Sequence, residues 1–440
     1  MKRLFSLSSR RRLQEGGSIL VFATLAIFVL FGFMGLSLDA GFMYYQKRRM
    51  QTAADAGAIA GAQELLRNSS ATLATVQAAA RKDTSLNGFT NGGDITVTVN
   101  MPPVNGPKAG TNGFVEVIIG QPQPTTFMQV LNINSTTVMA RAVAGITNGL
   151  GCVYALQQSP GNTSTQSGFA INGNTTVNMN CGVYSNSNFS AVGGGCLSST
   201  NLNYVNPGGY TNQCGTPNLQ PAGPVSDPVA PLFPTASTTI ATKSNCTYNV
   251  NNGYRPTDGV HVQPGVYCGG IKITGSYTNP IVFDPGNYVI VGGVGLDVNL
   301  SGASVSGAGV TFFLTYPGTN TNQFAPVSIS GNGTATFSAP TAAGSPYRGL
   351  LFYQDPTIPG TTAQNMTSVI GGGAGSYFQG IIYYPTTNLQ YSGSSSTTQN
   401  GSDGYTILVG YNVFVNGGTT INTDYSAIGG DPLKVAVFAE

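Results

Sequence analysis

The longest apolar stretch of the chain lies near its N-terminus. No charged residue occurs from Gly16 to Leu38. As a helix this run is about 34 Å long, which is enough to cross a hydrocarbon core of about 30 Å. The pattern therefore predicts one membrane-spanning helix at 16–38, preceded by a short basic tail at 1–15.

The composition after this span continues to favour helix. Residues 39–68 are rich in Ala, Gln, Leu and Met and contain no Pro, so we expect one rod that reaches about Asn68. Gly57 and Gly61 form a small-xxx-small pair, which is typical of close helix–helix contact, although they also fit an Ala-rich helix surface. Asp39 ends the apolar run and is either a polar interface residue or a contact to a partner's membrane helix.

Hydrophobic residues then alternate with polar ones at a period of two. Between residues 94 and 146 this alternation is seen in ITVTVN, FVEVII and TTVMARAVAGI. Such alternation predicts half-buried strands, which together with the helix give a small α+β pilin-like module at 39–146. The next region, 147–260, is rich in Asn, Gly, Ser and Thr and holds five of the six cysteines.

Short apolar strands separated by Gly, Asn or Ser recur from residue 261 to 440, for example in FDPGNYVIVGG and VSISGNGTATFSA. Their weak repetition favours a right-handed parallel β-helix, in which Val, Ile and Phe stack between coils. The alternative is a β-sandwich, which the dipeptides Asn172-Gly173 and Asn332-Gly333 favour because Asn-Gly is typical of hairpin turns. The predicted fold class is mainly β with an N-terminal transmembrane helix.

Charge is scarce and unevenly placed. Only 8% of residues are charged, and residues 1–82 hold 11 of the 18 basic ones. Positive flanks stay in the cytosol, so Lys2, Arg3 and Arg10–Arg12 predict a cytosolic N-terminus and an exported remainder. Because the basic excess surrounds the membrane segment, no nucleic-acid partner is expected.

The cysteines are confined to the region that would be exported. An even number in an oxidising compartment indicates disulfides, and six cysteines allow 15 pairings, which the sequence alone does not resolve. Buried free thiols are the alternative. The residues are Cys152, Cys181, Cys196, Cys214, Cys246 and Cys268.

A family resemblance lies in the first 50 residues after the basic tail. The shared pattern is a Gly-led apolar helix, an acid–small–Gly step, an aromatic pair, a basic pair and Gln-x-Ala-Ala-Asp-Ala. In this chain it consists of Gly17, Asp39 to Gly41, Tyr44, Tyr45, Arg48, Arg49 and Gln51 to Ala56. The segment resembles TadG-like proteins of the Tad (Flp) pilus system, and PTTFMQVLNINSTTVMARAVAGI looks like the end of the same module.

The resemblance implies a place in a bacterial inner membrane, with the bulk of the chain periplasmic or extracellular and other pilus-assembly subunits as partners. Pilins of this system carry Glu five residues into the mature helix, whereas the fifth residue from Ser18 is Phe22, so we expect a retained anchor. The residues expected to contact the membrane or partner helices are Gly17, Asp39, Gly41, Tyr44, Tyr45, Gly57 and Gly61.

The sequence shows no cluster of residues typical of a catalytic or metal-binding site. The acids of the last third are scattered among turn motifs, His261 is the only histidine, and no P-loop is present. We therefore expect no catalytic, cofactor or metal site, and interpret the protein as a non-enzymatic scaffold or adhesive head. The alternatives are a tethered enzyme that acts on polysaccharide, which would need paired carboxylates, and a released pilus-tip adhesin. An aromatic surface for glycan or protein contact would involve Tyr383, Tyr384, Tyr391, Tyr405 and Tyr411, and the alternative is that half of these residues fill the core.

Overall fold

The chain divides into two compact units. A computed structural model describes residues 15–67, 71–148, 151–158, 168–205, 210–211, 218–221, 225–359, 366–392 and 404–439. The first unit combines Met1–Thr147 with Val435–Glu440, and the second is Asn148–Lys434. Apart from Glu15, the predicted basic tail at 1–15 lies outside the described residues.

Strands outnumber helices in the part of the chain that the structure describes. Helices α1 to α3 span Glu15–Arg67, Leu73–Leu86 and Ala236–Ala241. Short 3₁₀ helices lie at Met128–Leu131, Thr242–Ser244, Thr321–Gln323 and Ser426–Ile428. The strands are β1 (Thr96–Asn100), β2 (Phe114–Pro124), β3 (Ser135–Asn148), β4 (Gly151–Ala155), β5 (Phe169–Asn172), β6 (Thr176–Met179), β7 (Gly182–Ser185), β8 (Phe189–Val192), β9 (Cys196–Ser198), β10 (Asn201–Tyr204), β11 (Tyr210–Thr211), β12 (Asn218–Pro221), β13 (Tyr248–Asn249), β14 (His261–Val262), β15 (Gly265–Cys268), β16 (Ile271–Gly275), β17 (Ile281–Phe283), β18 (Gly286–Val291), β19 (Leu296–Leu300), β20 (Ser304–Ala308), β21 (Val310–Thr315), β22 (Val327–Gly331), β23 (Thr334–Ser338), β24 (Leu350–Gln354), β25 (Thr367–Ile370), β26 (Tyr377–Tyr384), β27 (Asn388–Ser392), β28 (Thr406–Gly410), β29 (Val413–Asn416), β30 (Thr420–Ile421) and β31 (Lys434–Phe438).

Helix α1 changes character along its length. From Leu20 to Arg49 most of its side chains are exposed, whereas from Met50 onward one face is buried. That buried face is built from Ala53, Ala54, Ala58 and Ala62. Among the described residues, α1 is the one helix that is long and apolar enough to cross a membrane. The predicted rod is confirmed, because α1 ends at Arg67.

A four-stranded sheet in the order β1-β2-β3-β31 completes the first unit. Strand β2 runs antiparallel to β1, with Val97 opposite Ile119, and to β3, with Val117 opposite Ala142. Alternate residues of β1 to β3 pack against α1 and α2 in one core. Because β31 follows the whole second unit in the chain, the second unit is an insertion between β3 and β31. The predicted β-helix-like region at 261–440 therefore extends too far, since β31 belongs to the first unit's sheet.

The second unit is made of parallel sheets. Strands β15, β18, β21 and β24 pair in sequence in one sheet, while β16, β19, β22 and β25 do so in another and β14, β17, β20 and β23 in a third row. The strand pairs described in this unit are all parallel. Strands β5 and β6, which flank Asn172-Gly173, lie in different sheets, as do β22 and β23, which flank Asn332-Gly333. Neither dipeptide forms the hairpin that a sandwich would use.

The second unit begins and ends in the middle of its sheets. Strand β4 pairs with β28, where Val153 is opposite Leu408, and β5 pairs with β29, where Ile171 is opposite Val415. From β4 the sheet continues through β7 and β10 to β12 at one end, whereas β13 lies at the other end. Regions 147–260 and 261–434 share the same sheets, so the predicted division at residue 260 is wrong and the two regions form one unit.

A segment between β12 and β13 covers one face of the long sheet. Its apolar side chains, including Phe233 and Ile240, belong to a buried cluster with Phe313 and Tyr353 of the sheet. The Tyr383 hydroxyl donates to Asp227 Oδ2 at 2.7 Å. The predicted aromatic surface is therefore wrong for most of its members, which fill the core instead. The buried members are Tyr383, Tyr384, Tyr391 and Tyr405, and Tyr411 is half-buried.

Stacked aromatic rings line the interior of the second unit. Successive strands place Tyr267, Tyr288, Phe312 and Phe352 at neighbouring positions, with ring centroids 6.1, 5.3 and 5.1 Å apart. Offset aromatic pairs at such distances add to the stabilisation that burial provides.

Disulfides are present in the second unit, as the cysteine count predicts, and each described one joins a strand to a residue outside the strands. Cys152 is bonded to Cys181, with Cα atoms 5.8 Å apart, and Cys246 to Cys268, with Cα atoms 5.6 Å apart. Both separations lie within the usual range for this bond. Cys196 is also disulfide-bonded. Cys214 lies outside the described residues.

Candidate functional site

The carboxylate of Asp39 is held by a loop distant in sequence. It accepts hydrogen bonds from three consecutive backbone N–H groups: Thr126 (3.1 Å), Phe127 (2.8 Å) and Met128 (2.7 Å). These donors open the 3₁₀ helix Met128–Leu131, whose first N–H groups have no partner within the helix. Asp39 therefore caps this helix from another element. Asp39 thus has a partner within its own chain, and the partner-helix contact that is one of its two predicted roles stays a prediction.

Gly35, one turn before Asp39 on α1, is in close contact with the same loop. The ring of Phe127 lies so close to Gly35 that an added Cβ would be 2.5 Å from Cδ1 of the ring. Any larger residue at this position would displace the loop. Sequence analysis missed Gly35, although its i, i+4 spacing to Asp39 places both on one helix face and is the signal that could have identified it.

Two further glycines let α1 pack against the rest of the first unit. A Cβ at Gly57 would lie 2.6 Å from Cγ2 of Thr84 on α2, and one at Gly61 would lie 2.9 Å from Cγ1 of Val115 on β2. The close helix contact predicted for Gly57 is thus made with the chain's own α2. Side chains of α2 and β2 already occupy the positions next to these two glycines, so a partner helix has no room to pack there.

Gln51 joins α1 to the sheet. Its Nε2 donates to the backbone oxygen of Arg141 at 2.9 Å and to Asp55 Oδ1 at 2.8 Å. With the buried residues Ala53 and Ala54 on the next turn, this contact accounts for the Gln-x-Ala-Ala-Asp-Ala pattern as a packing motif. The long polar side chain reaches a backbone carbonyl of β3, while the small ones allow close approach.

A buried acid stabilises the other face of the sheet. Glu116 Oε1 is 2.6 Å from Arg141 Nε, and its Oε2 accepts from Asn100 at 2.8 Å and from the Val104 N–H at 3.1 Å. Burial raises the pKa of Glu116, but these hydrogen bonds and the charge of Arg141 together hold that pKa below its ordinary value. The carboxylate is thus a structural anion.

The remaining predicted contact residues lie on the exposed part of α1. Nothing surrounds the position that a Cβ at Gly41 would occupy. Tyr44 and Tyr45 are exposed, and the guanidinium of Arg49 lies 5.9 Å from the ring centroid of Tyr45. Gly17 is part of α1, and its surroundings are outside what the structure describes. These surfaces face away from the core of the first unit.

The helix that carries these contacts matches a known protein family in sequence. Residues 17–64 match the family described as putative Flp pilus-assembly TadE/G-like. This segment is TadE/G-like. The match confirms the family resemblance for residues 17–64, which run along α1 from its apolar part to its buried alanines and include Gly35, Asp39, Gly57 and Gly61. The resemblance of PTTFMQVLNINSTTVMARAVAGI lies outside the match and stays a prediction. No curated protein and no solved structure matches the chain.

Outside the TadE/G-like segment, the second unit carries an open cleft of about 740 Å³. Its lining includes Lys243, Asn249, Asn251, Asn322 and Gln323, beside the Cys246–Cys268 disulfide. The Lys243 ammonium lies 3.7 Å from the ring centroid of Tyr316.

The acids of the second unit hold turns and neighbouring strands together. Asp284 accepts hydrogen bonds from His261 (2.7 Å) and Gln263 (2.6 Å), which lower its pKa, and Asp355 bonds to Thr315 and Thr357. Among the described residues, no group of three His, Cys, Asp or Glu side chains is placed to hold a metal. These carboxylates therefore have structural partners of their own.

Proposed function

We propose that this protein is a non-enzymatic, membrane-anchored component of a Tad/Flp-type pilus assembly or secretion apparatus. The single observation that carries the proposal is the TadE/G-like match over residues 17–64. The free part of α1 supports it, because its apolar side chains point outward on all sides, as in Phe22, Phe28 and Phe33. A helix that is apolar all round is matched to lipid or to other membrane helices.

The proposed location is a bacterial inner membrane, with a cytosolic N-terminus and the two units outside. Five basic residues precede the span, which favours retention of that end in the cytosol. The disulfides of the second unit favour an oxidising compartment for the remainder of the chain.

In this proposal the second unit is a right-handed parallel β-helix that acts as a spacer, scaffold or adhesive head. The regular pairing of every third strand and the internal ladder of aromatic rings support a coiled arrangement. The amide-lined cleft at Asn249 and Asn322 favours an adhesive role, since such groups recognise sugar hydroxyls.

Site-specific photocrosslinking in cells that assemble the pilus tests the central proposal. A photoreactive residue at Phe28, which is 75% exposed on the span, is expected to capture other pilus-assembly subunits, identified by mass spectrometry. The control is Leu86, which is 76% exposed on α2 outside the span and should capture none. Capture of no pilus-assembly subunit at Phe28, Leu30 or Phe33 would contradict an assembly role.

A further inference from the structure

The loop between β2 and β3 exposes apolar side chains to solvent. We define it as residues 125–134 and call it the capped loop, since Asp39 caps its 3₁₀ helix. Val130 is 88% exposed and Leu131 61% exposed, and Phe127 and Ile133 are also exposed. Exposed apolar residues clustered on one short loop indicate a surface that is covered in the working protein.

The capped loop lies at the end of the apolar run of α1. Phe127 packs over Gly35 and the loop backbone binds Asp39, so the loop is level with residues 35–39 of the helix. Its exposed apolar surface is therefore continuous with that of the span. The structure thus places these side chains at the outer boundary of the predicted membrane segment.

The sequence around the loop is free of charge. No Asp, Glu, Lys or Arg occurs between Gly120 and Ala140. Further out along α1, Tyr44 and Tyr45 are followed by Lys47–Arg49, about 8 to 15 Å beyond Asp39 at 1.5 Å per residue. Aromatic residues and then cations in this order suit the headgroup layer of a bilayer.

Most backbone N–H groups of the capped loop have a partner within the chain. Three of its N–H groups bind Asp39, and Thr125 N–H donates to Asn134 O at 3.1 Å. Asn132 N–H donates to Gln129 O at 2.9 Å, and Ile133 N–H to Met128 O at 3.1 Å. Non-helical backbone is tolerated near hydrocarbon only when its polar groups have such internal partners.

We infer that the capped loop is seated in the outer leaflet beside α1, with Val130 and Leu131 in contact with lipid. The occupant of this surface is the bilayer, because the loop continues the apolar surface of the span and carries no charge for a polar partner. Asp39 then holds the loop in place: its negative charge is stabilised by three N–H donors at the depth where a carboxylate without partners would be costly.

Depth-dependent fluorescence of the full chain tests this inference. Val130→Cys is labelled with an environment-sensitive nitrobenzoxadiazole dye in vesicles of phosphatidylethanolamine and phosphatidylglycerol. Because Val130 is almost fully exposed, the variant should fold as the parent does. We expect blue-shifted emission and quenching by shallow doxyl lipids at least about twofold stronger than for the control. The control is Thr111→Cys, an exposed site beyond the other end of β2.

A third label separates this inference from the proposed function. Leu30→Cys lies on the exposed part of the span and should be quenched by deep doxyl lipids if α1 crosses the membrane. Quenching at Leu30 together with water-like emission at Val130 would show that α1 crosses the membrane but that the capped loop does not contact lipid. A Val130 label that becomes protected only when other pilus-assembly subunits are added would overturn it in favour of a protein contact.

Discussion

The carboxylate of Asp39 and the backbone N–H of Met128, 89 residues apart in the chain, form a 2.7 Å hydrogen bond. This bond joins the end of the apolar part of α1 to the loop that connects β2 and β3. The helix is thus attached to its module at two levels, by this bond and by the alanine face from Met50 onward. An anchor held at two points transmits tilt or rotation more directly than one held at a single point.

Replacement of Asp39 by Ala should release the capped loop. Without the carboxylate, the N–H groups of Thr126, Phe127 and Met128 lose their acceptor, and their hydrogen exchange should become at least about tenfold faster. Hydrogen–deuterium exchange of the full chain in nanodiscs measures this directly. Asp39→Asn keeps one acceptor oxygen and should give an intermediate rate. Equal rates in all three proteins would show that the cap does not hold the loop.

Gly57→Ala should destabilise the first unit. The added methyl meets Thr84 Cγ2 at 2.6 Å, and overpacking costs about 1–3 kcal/mol while helix propensity returns only about 0.5–1 kcal/mol. We expect a net loss of about 1 kcal/mol in the free energy of unfolding, measured by urea titration of helical circular dichroism. Gly41→Ala is the matched control, since its methyl enters open space. A Gly57→Ala protein as stable as Gly41→Ala would refute close packing at this site.

The disulfides should differ in their resistance to reductant. Cys152 and Cys181 are buried, whereas Cys246 is exposed and Cys268 is half-buried. Because thiol–disulfide exchange needs access to a sulfur atom, Cys246–Cys268 should open first as dithiothreitol is raised. Alkylation followed by peptide mass spectrometry gives the order. The double variant Cys152→Ala, Cys181→Ala should lose about 2–5 kcal/mol of stability. Simultaneous reduction of both pairs in the folded protein would contradict the burial difference.

The stability of the second unit should fall as pH rises past the pKa of Asp431. Burial raises the pKa of this carboxyl to about 6, so the folded state binds its proton more tightly than the unfolded chain does. Folding is therefore favoured at low pH, and this contribution is lost as pH rises from about 4 to about 7. After allowance for solvent screening, the loss is about 1–2 kcal/mol.

Asp431→Asn provides the control for this titration. Asn keeps an acceptor for the Leu433 N–H, which Asp431 Oδ1 binds at 2.9 Å, but it does not ionise. The difference in free energy of unfolding between variant and parent should therefore grow with pH over the same interval. Urea titration followed by tyrosine fluorescence is suitable, since the chain has 21 Tyr and no Trp. A difference that is independent of pH would exclude Asp431 as the titrating group.

The local pattern of apolar and polar residues predicted the helices and strands of this protein better than the way they pair and pack. The run from Gly16 to Leu38 and the composition after it predicted α1 to within one residue of its end at Arg67. Alternation predicted β1 to β3, because each residue's face is set by the strand geometry alone. The position of Tyr383, at a surface or in the core, was left open because a strand pattern does not reveal that a second segment covers the outer face of the sheet.

Long-range relationships escaped prediction because they depend on which surfaces meet. The strands of the second unit resemble one another, so nothing local indicates that β4 lies beside β28 rather than at an end. The cap formed by Asp39 joins two segments that are each ordinary by themselves: an acid after an apolar run, and a Thr-Thr-Phe step before a turn. Gly57 and Gly61 suggested either a close contact or an Ala-rich helix surface, and nothing in their spacing indicates that α2 and β2 of the same chain lie above them.

The insertion of the second unit between β3 and β31 determines how it can be shed. A head joined to its anchor by one linker is released by one proteolytic cut. In this chain a cut near Asn148 leaves the second unit attached through β31, and a cut near Lys434 leaves it attached through β3. Release therefore requires the cut near Asn148 and, in addition, loss of the hydrogen-bonded pairing that holds β31 in the first unit's sheet.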